Sequence, residues 1–597
     1  MANRRTLLVF RNINDTLSIK NIKKAENQAD PLPPENNILD AEDQLNQQVH
    51  DYCSDDSVKY PKRFTMYHAI IFLVALKLTA SEDYLELNIK QGPIRGYQAA
   101  EGVFVFRGIP YATAPTGRDK FKAPLPPPTW SEPFEATETE ISCPQLYSKR
   151  YKHTNKREDC LITNIYVPAV KREKLPVVVI IHGGAYQYGY GDYKLPTQLV
   201  KSNKVIALNF NYRVGAMGFL CLGTKDVPGN AAMKDQIALL RWVQENIESF
   251  GGNPNDVTLY GCSAGGSSVD LHLLSRTSRG LFHKAIPQSG ANVAAFSIQP
   301  DPIENAQNYA RQLNFTEVDD IDALEEFYRN APYSVLTSIN VLENRNSSVV
   351  FTPCIERDVR QEMFLDKDPT YILETGDYER VPILYGFTDM EGLLRLSYFK
   401  RWSHFMNKKF SDFLPENLEF RNAKQKEKVA GRVKKFYFGN NTVNENTIVN
   451  YIHYLGDITF SYGMLSSVKL QAKAGNDNVF FYEYSFCNNK TQYNFTGAGH
   501  CAQSNAVLDE PGEEDFPEDY QNMKRTLREL WLNFIVTGSP VSNGSDLSWP
   551  SSRSNRSPHM SINSNLILRD TFSDDKRARF WDRIYRRYQR RPVPPTF

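Results

Sequence analysis

Two patterns of hydrophobic positions organise the chain beyond residue 81. Short apolar runs bounded by turn residues recur at Pro176–Ile181, Val205–Phe210, Asp256–Tyr260, Lys284–Ile286, Val381–Gly386 and Asn478–Tyr484. Their polar and apolar residues barely alternate, which predicts parallel strands covered on both faces. Leu85–Ile89 and Val103–Phe106 are shorter and predict edge strands. Between the runs lie stretches of helical period. The clearest is Asn230–Phe250, where Met233, Ile237, Leu240, Val243 and Ile247 recur at helical spacing, and Ser267–Leu274 reads as another helix. Strand and helix in alternation predict an α/β domain over 81–597: a mostly parallel, doubly wound sheet flanked by helices.

The first 80 residues lack both patterns. Residues 1–65 carry NQAD, PLPPENN and AEDQLNQQ with few aromatics, a composition that cannot offset its ordering entropy by burial. They read as a disordered extension. The basic opening MANRRTLLVFRN has the look of a mitochondrial presequence, but the apolar run at 69–76 and the residues downstream point outward. Ala69–Leu76, AIIFLVAL, is too short to span a bilayer, which needs about 20 apolar residues. Preceded by Lys59, Lys62 and Arg63 and followed by Thr79, Ala80 and Ser81, it suits a signal-peptide core over 66–80. Translation starting at Met66 reconciles that core with its position. The alternative is a type II anchor with a cytoplasmic tail.

Composition narrows the function classes. The 70 Lys+Arg and 69 Asp+Glu leave a net charge of +1, which gives no support for a nucleic-acid partner. Beyond Ala80 lie Cys143, Cys160, Cys221, Cys262, Cys354, Cys487 and Cys501, an odd set with at least one unpaired thiol. Sequons at Asn314, Asn346, Asn440, Asn489, Asn494, Asn543 and Asn555 suit a secreted glycoprotein. There is no P-loop or dinucleotide fingerprint, and no zinc-type spacing of His and Cys, so neither cofactor nor metal is expected.

The chemistry concentrates in four places. Gly261-Cys-Ser-Ala-Gly-Gly266 follows a predicted strand and precedes a predicted helix, the context of a nucleophile elbow. Such a turn lifts the Ser263 hydroxyl above the sheet and aims the helix N-terminus at a developing oxyanion. His182-Gly-Gly-Ala185 follows another strand, so the amides of Gly183, Gly184 and Ala264 are candidate oxyanion donors, with Ala185 a further one. A serine nucleophile needs a base and an orienting acid, in chain order Ser, acid, His. The loop after Val381–Gly386 offers Asp389 and Glu391, which the residues alone do not separate. His500, in Gly497-Ala-Gly-His500, is the histidine in a Gly-rich loop after an apolar strand; His404, His453 and His559 read as surface or packing residues.

These motifs, with Phe106-Arg-Gly-Ile-Pro-Tyr-Ala112, Glu158-Asp-Cys-Leu161, Asn211-Tyr-Arg213, Lys234-Asp-Gln236, Phe250-Gly-Gly-Asn-Pro254 and Trp531-Leu-Asn-Phe534, resemble the type-B carboxylesterases. These form the cholinesterase-like branch of the α/β-hydrolases. The likeness runs from about 84 to 588, and Phe219-Leu-Cys-Leu222 is similar to insect members. The resemblance implies the α/β-hydrolase fold and makes Glu391 the acid of a Ser263–His500–Glu391 triad. It also implies a Cys143–Cys160 disulfide and a supporting role for Ser289 in Gln288-Ser-Gly290, which otherwise reads as a turn serine.

Three departures bear on substrate. Cys262 stands where many members carry Glu, and Cys-Ala-Gln follows His500 where many carry acidic residues. The Cys143–Cys160 segment holds Lys149, Arg150, Lys152, Lys156 and Arg157 and no Trp, which disfavours a quaternary-ammonium substrate. The expectation is therefore a secreted ester hydrolase, working through an acyl-enzyme on neutral aliphatic or aromatic esters. Xenobiotic, dietary, odorant or hormone esters all fit. The alternatives are a stoichiometric ester or organophosphate scavenger and a non-catalytic binding protein. The basic stretch Lys576–Arg591, with Phe580, Ile584 and Tyr588 in helical register, reads as a closing amphipathic helix ahead of a membrane or heparin patch.

Overall fold

The structure, a computed structural model, describes residues 84–597 except 101, 147–153, 171–173, 341, 488–494, 543, 554–555 and 571–574. The expectations for residues 1–80 lie outside these, as do Lys149, Arg150, Lys152, Asn489, Asn494, Asn543 and Asn555.

The strands in chain order are β1 Tyr84–Ile89, β2 Gly92–Ala100, β3 Val103–Pro110, β4 Phe134–Glu135, β5 Ile141–Ser142, β6 Asn155–Lys156, β7 Ile162–Pro168 and β8 Leu175–Ile181. They continue with β9 Ile206–Phe210, β10 Gly252–Cys262, β11 Lys284–Gln288, β12 Ile383–Thr388, β13 Val479–Tyr484, β14 His559–Ile562 and β15 Leu566–Arg569. One sheet runs β1-β2-β3-β7-β9-β8-β10-β11-β12-β13-β14-β15. From β9 through β14 every pairing is parallel, while β1-β2-β3-β7-β9 and β14-β15 pair antiparallel.

The apolar runs are explained by burial on both faces. In β8, Val177, Val179 and Ile181 face one core layer, and Val178 and Ile180 face the other. In β13, Val479 and Phe481 divide from Phe480, Tyr482 and Tyr484 in the same way. The helix Ala231–Asn246 covers the first face through Met233, Ile237, Leu240 and Val243. The helix Glu518–Thr537 covers the second through Leu527, Trp531 and Phe534. A third apolar cluster forms among the helices Phe399–Lys408, Ala423–Phe438, Ile448–Gly456 and Lys576–Tyr588. The last of these buries Phe580, Trp581 and Ile584 against it, with Trp581 Nε1 donating to the Tyr437 hydroxyl at 2.7 Å. The apolar stripe near the C-terminus is thus an internal closing helix.

Not every buried strand is an unbroken apolar run. β7 carries Thr163 and Asn164, yet it is buried throughout. Its polar side chains are satisfied internally: Thr163 Oγ1 donates to the Asn209 carbonyl at 3.0 Å and Asn164 Nδ2 to Asn209 Oδ1 at 2.8 Å. Motif residues remote from the chemistry form a second polar hub. Arg213 grips Asp235 through Nε at 2.8 Å and Nη2 at 2.6 Å, with both side chains buried. This joins Asn211-Tyr-Arg213 to Lys234-Asp-Gln236. Removing one partner of such a pair leaves a buried charge, at a cost of about 3–5 kcal/mol.

Candidate active site

Ser263 and the Gly183 turn follow the carboxyl ends of β10 and β8, Glu391 lies just beyond β12, and His500 lies in the long connection after β13. β10 ends at Cys262, and Ser263 occupies φ 61°, ψ −127° before the helix Ala264–His272 begins. Non-glycine residues persist at positive φ only where the surroundings fix them. Here the Ser263 N–H donates to the Gln288 carbonyl at 2.9 Å, and its own carbonyl accepts from Ser267 N–H at 2.9 Å. A Cβ on Gly265 would lie 2.1 Å from the Ile181 carbonyl oxygen, so only glycine lets the helix start this close to β8.

The turn after β8 lies directly against this elbow. A Cβ on Gly183 would stand 3.2 Å from Ser263 Cβ and 2.6 Å from the Cys262 carbonyl oxygen. Gly184, Ala185 and Tyr186 all have positive φ. Among the described residues, the N–H groups of Gly183, Gly184 and Ala264 donate to no protein acceptor. Two amides from one loop and one from a helix N-terminus are thus left free to donate, and such amides are the donor types an oxyanion hole uses. The loop is anchored from outside by Gln145, whose Nε2 donates to the Gly189 carbonyl at 3.0 Å while its Oε1 accepts from Gly189 N–H at 2.9 Å. Gln145 lies two residues beyond Cys143, which is bonded to Cys160. His182 stacks on Tyr212 with ring centroids 4.1 Å apart. Burial pushes the His182 imidazole down to about 4, so it stays neutral in the physiological range.

The acid loop follows β12. Glu391 is 1% exposed; its Oε1 accepts from Thr388 N–H at 2.9 Å and its Oε2 lies 2.5 Å from His500 Nδ1. Asp389 faces elsewhere. Its Oδ1 accepts from Ala498 N–H at 2.7 Å, holding the histidine loop rather than the imidazole, and burial raises its carboxyl to about 6. The Met390 N–H donates to the Ala498 carbonyl at 3.1 Å and completes the clasp. With Nδ1 taken, His500 has Nε2 left for a reacting proton, and that nitrogen is buried without a hydrogen bond. Phe460 stacks on the ring at 4.1 Å.

Ser289 does not reach the imidazole. Its hydroxyl accepts from Gln503 Nε2 at 2.8 Å, so it ties down the helix Ala502–Val507 that follows His500. Two of the five cations expected to repel a cationic substrate have partners: Arg157 pairs with Glu138 at 2.8 Å, and Lys156 donates to the Gln145 carbonyl at 3.2 Å. The other three lie outside the described residues.

Some supports were not singled out by sequence reasoning. Asp270, buried in the helix after Ser263, accepts from Asn292 N–H at 2.7 Å and from the Tyr385 hydroxyl, and burial raises its carboxyl to about 6. Cys221 is bonded to Cys354, and Cys262 to Cys501, joining the residues beside Ser263 and His500. Cys262 and Cys501 are both visible in the sequence as departures from the family pattern. Their pairing needed the fold, because 239 residues separate them. Among the described residues no cluster of His, Cys, Asp or Glu suits a metal ion, and no helix is long and apolar enough to cross a membrane.

A serine at the turn between a central parallel strand and a helix, with an acid and a histidine in the loops after two later parallel strands, defines an α/β-hydrolase. The sequence model of the Carboxylesterase family matches residues 83–581, and the chain belongs to that family and is a serine carboxylesterase. It is 32% identical over 538 residues to the carboxylic ester hydrolase of Bombus ignitus, covering 84% of this chain and 95% of that protein. It is 31% identical over 485 residues to the juvenile hormone esterase of Tribolium castaneum, covering 73% and 80%. The solved juvenile hormone esterase of Manduca sexta, with OTFP covalently attached, superposes with a TM-score of 0.75 at 27% identity, covering 84% and 100%.

Proposed function

We propose that Ser263, His500 and Glu391 form the catalytic triad of this esterase. Ser263 Oγ attacks the ester carbonyl carbon as His500 Nε2 takes its proton. The oxyanion is held by the N–H groups of Gly183, Gly184 and Ala264. Collapse expels the alkoxide, which leaves as the alcohol with the proton from His500. Water then attacks the acyl-enzyme with the same base, releasing the acid and restoring Ser263. Glu391 keeps the Nδ1–H tautomer and stabilises the imidazolium. The observation that carries this reading is the buried Glu391 carboxylate at 2.5 Å from His500 Nδ1, which leaves Nε2 as the free base. Each oxyanion donor contributes about 10²–10³ in kcat in sites of this kind.

The substrates in this reading are neutral aliphatic or aromatic esters, with no cofactor. The support is chemical. The segment between Cys143 and Cys160 has no Trp face for a quaternary ammonium. Position 262 carries a disulfide sulfur rather than a carboxylate. Three disulfides suit an oxidising compartment, and we read the product as secreted and glycosylated. The test is rapid mixing with a 4-nitrophenyl ester. An acyl-enzyme route that deacylates slowly predicts a burst of one nitrophenolate per active site, lost in Ser263→Ala. An undiminished burst from that variant would overturn the assignment.

A further inference from the structure

We propose that the Cys262–Cys501 disulfide is a positioning element of catalysis: it holds the turn of the nucleophile against the loop of the base. The inference rests on the reading of Ser263 and His500 as a reacting pair. Cys262 immediately precedes Ser263 at the end of β10, and Cys501 immediately follows His500 ahead of the helix Ala502–Val507. Their Cα atoms lie 6.1 Å apart across 239 residues of sequence. One covalent bond therefore joins the immediate neighbours of nucleophile and base.

The other contacts of the histidine loop are hydrogen bonds, and one of them, between Ser504 Oγ and the Tyr260 hydroxyl at 3.0 Å, also reaches β10. Ala498 is clasped by Asp389 and Met390 beyond β12, and Gln503 is held by Ser289 beyond β11. Glu391 fixes Nδ1, while Nε2 makes no hydrogen bond, so no such bond sets the separation of Ser263 and His500. Backbone at one end of the strap, Cys501, and beside the other, Ser263, also needs outside support. Ser263 lies at φ 61°, ψ −127° and Cys501 at φ 62°, ψ 17°, positions that L-residues adopt where surrounding contacts over-determine them. The disulfide between Cys262 and Cys501 ties these two backbone positions together and so restrains the side chains of Ser263 and His500 beside it. Misplacement of a reacting group by 1 Å costs about 10²-fold in rate.

Accessibility makes the idea testable in the intact protein. Cys143, Cys160, Cys221 and Cys354 are at most 2% exposed, whereas Cys262 and Cys501 are half-buried. Dithiothreitol, supplying two electrons and two protons as it closes to its cyclic disulfide, should open this bond first. Peptide mapping after alkylation identifies the opened pair. With Cys262 and Cys501 alkylated and the other two bonds intact, kcat for a neutral ester should fall by about tenfold or more, with KM changing less than about twofold. Labelling of Ser263 by a fluorophosphonate should slow in parallel, and reoxidation before alkylation should restore both. The Cys262→Ala/Cys501→Ala double variant should behave as the opened enzyme.

Unchanged kcat and labelling rate with the bond open would overturn the proposal. So would a change confined to KM. Loss of the near-ultraviolet circular dichroism on opening, in both the reduced enzyme and the double variant, would overturn it too, by making the bond a folding element. The triad reading is judged separately: if the probe on the oxidised enzyme does not map to Ser263, that reading fails. If it maps to Ser263 at one rate in both redox states, only the strap fails.

Discussion

Replacing Glu391 by glutamine changes one oxygen and one charge, and it separates the two carboxylates of the acid loop. Glu391 Oε2 lies 2.5 Å from Nδ1 of His500 and the side chain is shielded from water. A carboxylate and an imidazolium with charge centres about 4 Å apart attract by roughly 4 kcal/mol at an effective dielectric of 20. That attraction exists only after His500 has taken the proton, so its loss falls on the transition state. At 1.36 kcal/mol per factor of ten, kcat drops by about 10³. The glutamine NH₂ also favours the wrong imidazole tautomer. Asp389→Asn tests the neighbour: its Oδ1 accepts from the Ala498 N–H, and the asparagine carbonyl can accept there still. Its kcat should stay within about tenfold of wild type, since a neutral hydrogen bond contributes about 1 kcal/mol. The assay is steady-state hydrolysis of a 4-nitrophenyl butyrate at pH 8, with circular dichroism to verify folding. Equal losses in the two variants, or a wild-type rate in Glu391→Gln, would refute the reasoning.

Other consequences follow from the same contacts. Gly183→Ala places a methyl 2.6 Å from the Cys262 carbonyl oxygen, so the donor loop must retreat from Ser263. Its kcat should fall by about 10² or more with a fold intact by circular dichroism. Burial, and then Asp389, raise the Glu483 carboxyl to about 7. A raised carboxyl contributes stability below its unfolded pKa of about 4.3 and loses it as pH rises through 7. Glu483→Gln should therefore melt several degrees above wild type at pH 8 and show no such gain at pH 4.5; a gain of equal size at both would remove the charge as its cause. Butyrylcholine should have a lower kcat/KM than a neutral butyrate ester at low and moderate salt, and the reverse order would overturn the substrate reading. Asn314 and Asn440 are exposed, whereas Asn346 Nδ2 donates to Glu416 at 3.1 Å. Glycopeptide mapping of protein from insect-cell medium should find glycan on the first two and none on Asn346.

The parallel centre of the sheet was legible because its strands are buried on both faces and so read as unbroken apolar runs. β7 was not, since its interior Thr163 and Asn164 are polar and their satisfaction depends on Asn209, 45 residues or more away. β14 and β15 were missed as well. Each is four residues long, and β15 alternates partly buried and exposed side chains. At the site, local signals served wherever the chemistry demands a local shape: an elbow at Ser263, a glycine turn at Gly183. Glu391 and Asp389 are two residues apart in one loop, and the residues alone left them tied. What separates them is which one meets the imidazole and which the Ala498 amide, a distinction that arises only when β12 and the loop after β13 come together. The supports contributed by Gln145, Asp270 and Gln503 are single polar residues in otherwise ordinary segments. Their roles lie wholly in partners distant along the chain.

The most direct test of the account is where a serine-reactive probe attaches. Wild-type protein treated with a fluorophosphonate and digested should carry the label on Ser263. Ser263→Ala, folded by circular dichroism, should take up none. Label on another serine in wild type, or labelling of the alanine variant at the wild-type rate, would contradict the assignment of Ser263 as the nucleophile.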